Sequence, residues 1–108
     1  MRIRKQNAEL RKEEIELISK VSDALAHPLR VELFRYILRK NRSLEGVYTK
    51  IIVKDFGYAQ ATISQHMRVL LQAGLVTGKD EEKYTYYYAN LGILTQYLDT
   101  VKKFSTSY

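Results

Sequence analysis

Apolar residues recur every three or four positions along most of the chain, and this repeat predicts helices. The first apolar stripe lies in residues 8–26 and includes Leu10, Leu17 and Val21. Pro28 begins a second helical segment, because proline is tolerated in the first turn of a helix. The predicted buried positions of that segment are Val31, Phe34, Ile37 and Leu38. With one proline and five glycines in the chain, breaks are few, so the fold is predicted to be mainly α-helical.

The middle of the chain predicts a short helix, a glycine turn and a longer helix. Residues 47–56 include a β-branched run that also suits a strand, but Gly57 and a clearly helical segment follow at once. We therefore predict a short helix there. The segment 59–73 is the most regular, because its apolar residues fall within about 100° of one another. Gly74 follows at the position where helices commonly end with glycine.

A small β-hairpin and a last helix are predicted to complete the chain. Residues 75–77 and 84–89 are β-branched and aromatic, and the charged stretch between them is typical of a hairpin tip. Alternation places Tyr84, Tyr86 and Tyr88 on one face, which we expect to pack on the core, and Tyr87 on the other, beside the last helix. Residues 91–104 repeat leucine and valine at coiled-coil spacing.

Length and composition exclude several classes of protein. A chain of 108 residues suits a single domain, residues 1–108, and no apolar run approaches the roughly 18 residues of a membrane span. The chain begins without the apolar stretch of a secretory signal, so we expect no membrane partner and a cytoplasmic location. There is no cysteine, which excludes thiolate metal sites. We also find no phosphate loop and no nucleophile–base pair, so we expect no enzyme and no cofactor.

The net charge of +6 is concentrated in the middle of the chain. Residues 28–79 hold nine basic and three acidic side chains, whereas the two flanking segments are nearly balanced. A concentrated positive field attracts a polyanion, most often nucleic acid. The solvated surface of an ordinary basic protein is the alternative explanation.

Residues 47–73 have the outline of a helix-turn-helix, and the hairpin 75–89 would add a wing. The major groove of DNA is about 12 Å wide and admits one helix, whose outward Gln and Arg side chains can contact adenine and guanine. The segment 60–72 contains no carboxylate. We therefore predict double-stranded DNA as partner, contacted by Gln60, Ala61, Thr62, Ser64, Gln65 and Arg68 on the helix and by Lys79 and Lys83 on the wing.

Three stretches resemble the ArsR/SmtB-type winged-helix regulators. Residues 24–30 (ALAHPLR) are similar to the opening motif of that family, and residues 57–70 to its turn and recognition helix, including Ser64 and His66. Residues 73–76 (AGLV) are similar to the stretch that leads into its wing. The resemblance implies a winged helix-turn-helix fold and a homodimeric repressor that binds an operator of imperfect dyad symmetry.

In that family the first and last helices, here 8–26 and 91–104, pair across the dimer. The apolar stripes of both segments are consistent with such pairing, because they form a larger apolar surface than one small domain should leave exposed. The predicted dimer contacts are Leu10, Leu17, Val21, Leu91, Leu94, Leu98 and Val101. The alternative is that both helices cap the core of the monomer.

Departures from the family pattern shape the remaining expectations. The positions of its Cys-x-Cys metal ligands hold Tyr48-Thr49-Lys50, and the last helix has Asp99 but no histidine. With His27 and His66 expected to be structural, we predict no metal site. Ala59 stands where the family usually has a Ser or Thr that caps the recognition helix. Because the tip 80–83 is acidic, the sequence leaves open whether the wing contacts DNA.

Two questions stay open from the sequence. The input of such a regulator could be a small-molecule effector, a protein effector, or nothing at all. A winged-helix module for protein–protein interaction, without DNA binding, is the alternative function, because tyrosine, abundant in the hairpin, is enriched in binding hot spots.

Overall fold

The computed structural model describes residues 10–106, and within that range five helices accompany one two-stranded antiparallel sheet. The elements follow in the order α1 (Lys12–Ala24), α2 (Pro28–Arg42), α3 (Thr49–Phe56), α4 (Gln60–Gln72), β1 (Val76–Glu81), β2 (Tyr84–Ala89) and α5 (Leu91–Ser105). The predicted fold class, mainly α with a small hairpin, is confirmed. Residues 8 and 9, the predicted start of the first helix, lie outside the described residues. No helix of the described part is long and apolar enough to cross a membrane.

Side chains fix the beginnings of three helices. The backbone N–H of Arg11 donates to Glu14 Oε1 at 2.9 Å before α1. His27 Nδ1 accepts from the Leu29 N–H at 3.2 Å, with Pro28 as the first residue of α2. Asn90 Oδ1 accepts from two N–H groups in the first turn of α5, those of Gly92 and Ile93. Each bond satisfies a backbone donor that has no partner within its own helix.

The core draws on the four helices α1 to α4, on Val47 before α3, and on the entry to the hairpin. In α2, the prediction that Val31 is buried is wrong: its side chain is 45% exposed, and Leu29 and Leu33 are buried instead. Leu29, Leu33 and Ile37 stand four residues apart and share one face of the helix, whereas Val31 lies two residues from Leu33, on the far side.

The hairpin has a shorter tip than the sequence suggests. β1 continues through the charged stretch to Glu81, which pairs with Tyr84, so that only Glu82 and Lys83 form the turn. Glu82 has φ 52°, in the left-handed region. The charged residues predicted to form a loop therefore lie on a strand, because β1 pairs with the tyrosine-rich β2 along its whole length.

The predicted facing of the tyrosines is also wrong. Tyr87 packs against the core, whereas Tyr88 is 43% exposed. The Tyr87 N–H donates to the Val47 carbonyl at 2.9 Å, which holds β2 beside the segment that precedes α3. On the other face of β2, Tyr84 and Tyr86 pack on the Tyr48 ring, at centroid distances of 4.4 and 5.6 Å.

The first and last helices pack against each other within the protomer. Ser22 Oγ and Tyr97 OH are 2.9 Å apart, and Lys103 Nζ lies 3.0 Å from Glu14 Oε1. Val21, predicted at the dimer interface, is fully buried in the core of the protomer, so its side chain has no surface to offer a partner. That prediction is corrected, because the inner edge of the α1 stripe is used by the monomer itself.

Candidate nucleic-acid interface

A tight turn sets the angle between α3 and α4. Gly57 has φ 76°, a left-handed conformation that glycine adopts without the steric cost of a Cβ. Its N–H donates to the Val53 carbonyl at 2.9 Å, which closes the end of α3. Tyr58 and Ala59 complete the turn, and Ala59 gives α4 no side-chain cap.

The two faces of α4 have opposite character. Ile63, Met67 and Leu70 are buried and fix the helix on the core. The predicted contact residues lie on or beside the opposite face, exposed in the case of Gln60, Ala61, Gln65 and Arg68 and half-buried in the case of Thr62 and Ser64. Because α4 contains Arg68 and no carboxylate, this face carries only positive charge and hydrogen-bonding groups.

A hydrogen-bond network ties the inner side of α4 to the α1–α2 corner. Arg30 Nη1 lies 3.0 Å from His66 Nδ1, and Arg30 Nε donates to the Ala24 carbonyl at 2.7 Å. Arginine is always a donor, so His66 Nδ1 accepts and the ring is neutral. The His27 ring stands 4.6 Å from that of His66. Both histidines therefore have structural roles, and the network holds the recognition helix against the rest of the domain.

The environment of His66 disfavours its protonated form. Partial burial is the main cause of its lowered pKa, and the nearby His27 and Arg30 add to the effect. A proton on Nδ1 would remove the acceptor that Arg30 uses and place two cations side by side. The network is therefore built for a neutral imidazole. In residues 10–106, no three His, Asp or Glu side chains are grouped so as to hold a metal ion.

The wing presents its positive charges less freely. Lys79 Nζ lies 3.5 Å from Glu81 Oε2, and both side chains are largely exposed. Asp80 Oδ1 accepts from the Thr85 hydroxyl at 2.6 Å. Lys83 stands in the turn and also lines a cleft that faces α3 and Gln60. The two predicted wing contacts thus differ, because Lys79 shares its charge with a carboxylate whereas Lys83 does not among the described ion pairs.

Two residues beside α4 were missed by the sequence reasoning. Lys50 on α3 is exposed and lines the same cleft as Gln60. Tyr58, in the turn, is 48% exposed at the foot of the recognition helix. The count of basic residues between 28 and 79 included Lys50, but position in the sequence alone could not show that α3 places it next to the wing.

Two helices joined by a glycine turn, with a hairpin after the second, define the class of winged helix-turn-helix proteins. A family model described as a helix-turn-helix domain matches residues 25–79, and the chain belongs to that family. No curated protein matches the sequence significantly.

Solved structures place this fold among ArsR-type regulators. The chain is similar to an ArsR-like transcriptional regulator from Rhodococcus sp. RHA1, with a TM-score of 0.74, 18% identity, and 84% of this chain and 81% of that chain covered. It is similar to a possible transcriptional regulator for arsenical resistance, with a TM-score of 0.62, 27% identity, and 76% and 80% covered. It is also similar to an ArsR family transcriptional regulator, with a TM-score of 0.66, 16% identity, and 89% of this chain and 91% of that chain covered.

These similarities confirm the ArsR-type resemblance. The residues that the family model matches include both helices of the helix-turn-helix and the start of the wing. The protein is accordingly a DNA-binding transcriptional regulator with an ArsR-type winged helix-turn-helix fold.

Proposed function

We propose that the protein acts in the cytoplasm as a homodimeric repressor that binds a dyad operator through α4. One observation carries the proposal: the exposed face of α4 combines Gln65 and Arg68 with a complete absence of carboxylates. A helix in the major groove lies between two rows of phosphates, so an acidic side chain on that face would be repelled.

The proposed contacts divide into two groups by their chemistry. Gln65 and Arg68 can each make two hydrogen bonds to a base edge, so we assign the reading of sequence to them. Gln60, Thr62, Ser64 and the small Ala61 lie around them, where they contact phosphates or allow close approach. Lys79 and Lys83 on the wing would contact the phosphate backbone, which positions the protein without reading sequence.

Apolar surface on the terminal helices supports the homodimer. Ile15 on α1 is 53% exposed, and Leu91, Leu98 and Phe104 on α5 are 48%, 56% and 49% exposed. Leu10, Leu17, Leu94 and Val101 are half-buried beside them. Burying such a surface against a second copy would remove it from water. A two-fold axis between two copies would set their α4 helices about 34 Å apart, one turn of DNA.

The test is selection of bound sites from random duplex DNA. We expect enriched sequences with two related half-sites about 10 base pairs apart, centre to centre. The logarithm of the binding constant should fall linearly with the logarithm of the salt concentration. Enrichment of a single half-site would contradict the dimeric mode, and a failure to enrich any sequence at low salt would contradict specific DNA binding.

A matched pair of variants tests the dimer separately. Leu98→Glu places a charge on the exposed face of α5, and Leu44→Glu makes the same change at a leucine that is 93% exposed and far from α5 in sequence. We expect sedimentation to give twice 12.7 kDa for the wild type and for Leu44→Glu, and 12.7 kDa for Leu98→Glu. Dimers of Leu98→Glu as stable as those of the wild type would overturn this interface.

Leu44 and Tyr88 favour one second candidate function. They line a common hollow near Glu45 and Glu81, and both are exposed, which suits a surface for protein interaction. If the chain were only an interaction module, Leu44→Glu would abolish capture of its partner while the protein bound no DNA sequence selectively.

A further inference from the structure

A cleft of about 430 Å³ lies between α3, the first residue of α4 and the wing. This volume falls within the range of about 300–1,000 Å³ typical of small-molecule sites. The walls of the cleft include Tyr48, Tyr84 and Tyr87, with Val53 as an aliphatic contact and Lys50 and Lys83 as the charged residues.

Three tyrosine side chains contribute to the lining of the cleft. The rings of Tyr48 and Tyr84 are stacked at a centroid distance of 4.4 Å and an angle of 25°. Tyr87 OH lies 3.3 Å from Thr49 Oγ1, which places two hydroxyl groups at the same site. A planar ligand ring can pack against these aromatic side chains, and the one hydroxyl hydrogen that is not used between Tyr87 and Thr49 can be donated to an oxygen atom of the ligand.

The charged residues in the lining distinguish this cleft from four other clefts of the described chain. Lys50 and Lys83 line it without any carboxylate, and neither lysine forms an ion pair within residues 10–106. Four further clefts of the described chain each include at least two acidic residues. In one of these, Lys40 is already paired with Glu45 at 2.9 Å. Among these five clefts, the cleft by the wing is therefore the one whose lining has basic residues and no acidic residue.

We propose that this cleft binds a planar aromatic carboxylate, with the ring against the tyrosines and the carboxylate near Lys50 and Lys83. Gln60 and Lys83 line the cleft and are also among the proposed DNA contacts. The ligand would therefore oppose DNA binding directly, since both would use Gln60 and Lys83. This second step rests on the proposed function, whereas ligand binding itself does not.

The experiment is a titration of the ¹⁵N-labelled full chain, free of DNA, with 2-naphthoate. We expect saturable amide shifts centred on Tyr48, Lys50, Gln60 and the turn at Lys83. The neutral isostere 2-naphthamide should bind about tenfold more weakly, because it lacks the charge-assisted contacts. Inorganic phosphate, which has charge but no ring, should cause no saturable shift over the same concentrations.

Lys50→Gln and Lys54→Gln supply the matched variants. Both remove one exposed lysine from α3, but only Lys50 lines the cleft. We expect Lys50→Gln to weaken 2-naphthoate by about three- to tenfold and Lys54→Gln to leave it unchanged. The site would be overturned if 2-naphthamide or inorganic phosphate bound as tightly as 2-naphthoate, or if the amide shifts were centred outside the cleft.

Competition with DNA is measured separately. Saturating 2-naphthoate should raise the apparent Kd for an enriched DNA site at least about tenfold, as expected for ligands that exclude each other. Ligand binding without a change in DNA affinity would overturn the antagonism. If no DNA sequence were bound at all, the proposed function would fail while the titration of the DNA-free protein still decided the site.

Discussion

The recognition helix α4 and the wing are both proposed to meet DNA, but they carry their charge differently. The exposed face of α4 has Arg68 and no carboxylate, whereas the wing places Asp80, Glu81 and Glu82 around its two lysines. When a lysine that is paired with a carboxylate approaches DNA, the carboxylate approaches too, and the phosphates repel it. The comparison assigns affinity and base reading mainly to α4 and a minor role to the wing.

Adding one acid to each region should show the largest difference. Gln65→Glu keeps the size of the side chain but puts a carboxylate in the centre of the α4 face, and we expect specific binding to weaken about 100-fold. Thr77→Glu adds the same charge at an exposed position of β1. Its effect should stay below about threefold, since the wing is assigned a minor role in DNA binding. The Kd of each variant for DNA, measured by fluorescence anisotropy, gives both effects. Similar losses of affinity in the two variants would contradict the distinction between α4 and the wing.

The two turns should respond differently to a Cβ. Gly57→Ala forces alanine to φ 76°, with no neighbouring atom within 4 Å of the new carbon, so backbone strain is the direct effect. We expect a loss of about 1–2 kcal/mol in the free energy of unfolding, measured by urea denaturation. Gly57→Asn should lose less, because asparagine tolerates this region.

Glu82→Ala is the control for the wing turn. Glu82 already has φ 52° and a Cβ, so its replacement adds no strain and should change the free energy of unfolding by less than about 0.5 kcal/mol. A Gly57→Ala variant as stable as the wild type would contradict the left-handed turn between α3 and α4.

The anchoring of α4 should depend on pH. The pKa of His66 is lowered in the folded protein, mainly by burial, so the unfolded chain binds the proton more readily. The contribution of His66 to stability is therefore complete above about pH 6.5 and declines as the pH falls below that value. Thermal unfolding between pH 7.5 and 5.5 should show a smaller decline in His66→Gln than in the wild type. An equal decline in both would contradict this role.

The salt dependence of DNA binding should show the smallest effects. A lysine that neutralises one phosphate contributes about 0.9 to the slope of log K against log salt. Lys83→Gln should reduce the slope by up to this amount, and Lys79→Gln by less, because Lys79 lies 3.5 Å from Glu81. A larger reduction for Lys79→Gln than for Lys83→Gln would reverse our assignment within the wing.

Local patterns predicted the helices and the faces of α4 well. The spacing of Ile63, Met67 and Leu70 determines which side of α4 is buried, and Gly57 marks the turn. Both features depend on residues close in sequence. The polar face opposite the core follows from the same period, which is why the exposed predicted contacts on α4 share one surface.

Features that depend on distant residues could not be predicted in this way. Alternation gave two faces of β2 but not which one meets the core, and the pairing of Tyr87 with Val47 decides it. The bond between Arg30 and His66 joins residues 36 positions apart. Val21 belongs to an apolar stripe in either arrangement, and only the packing of α1 on the core shows that its side chain is unavailable to a partner.

The most direct test of base reading by α4 compares wild type and Arg68→Ala on an enriched site and all its single-base variants. We predict that Arg68→Ala loses discrimination, about 1–3 kcal/mol, at one position in each half-site and keeps its preferences elsewhere. Uniform weakening on every sequence would show that Arg68 contacts phosphate only, and an unchanged profile with unchanged affinity would contradict any contact between Arg68 and the DNA.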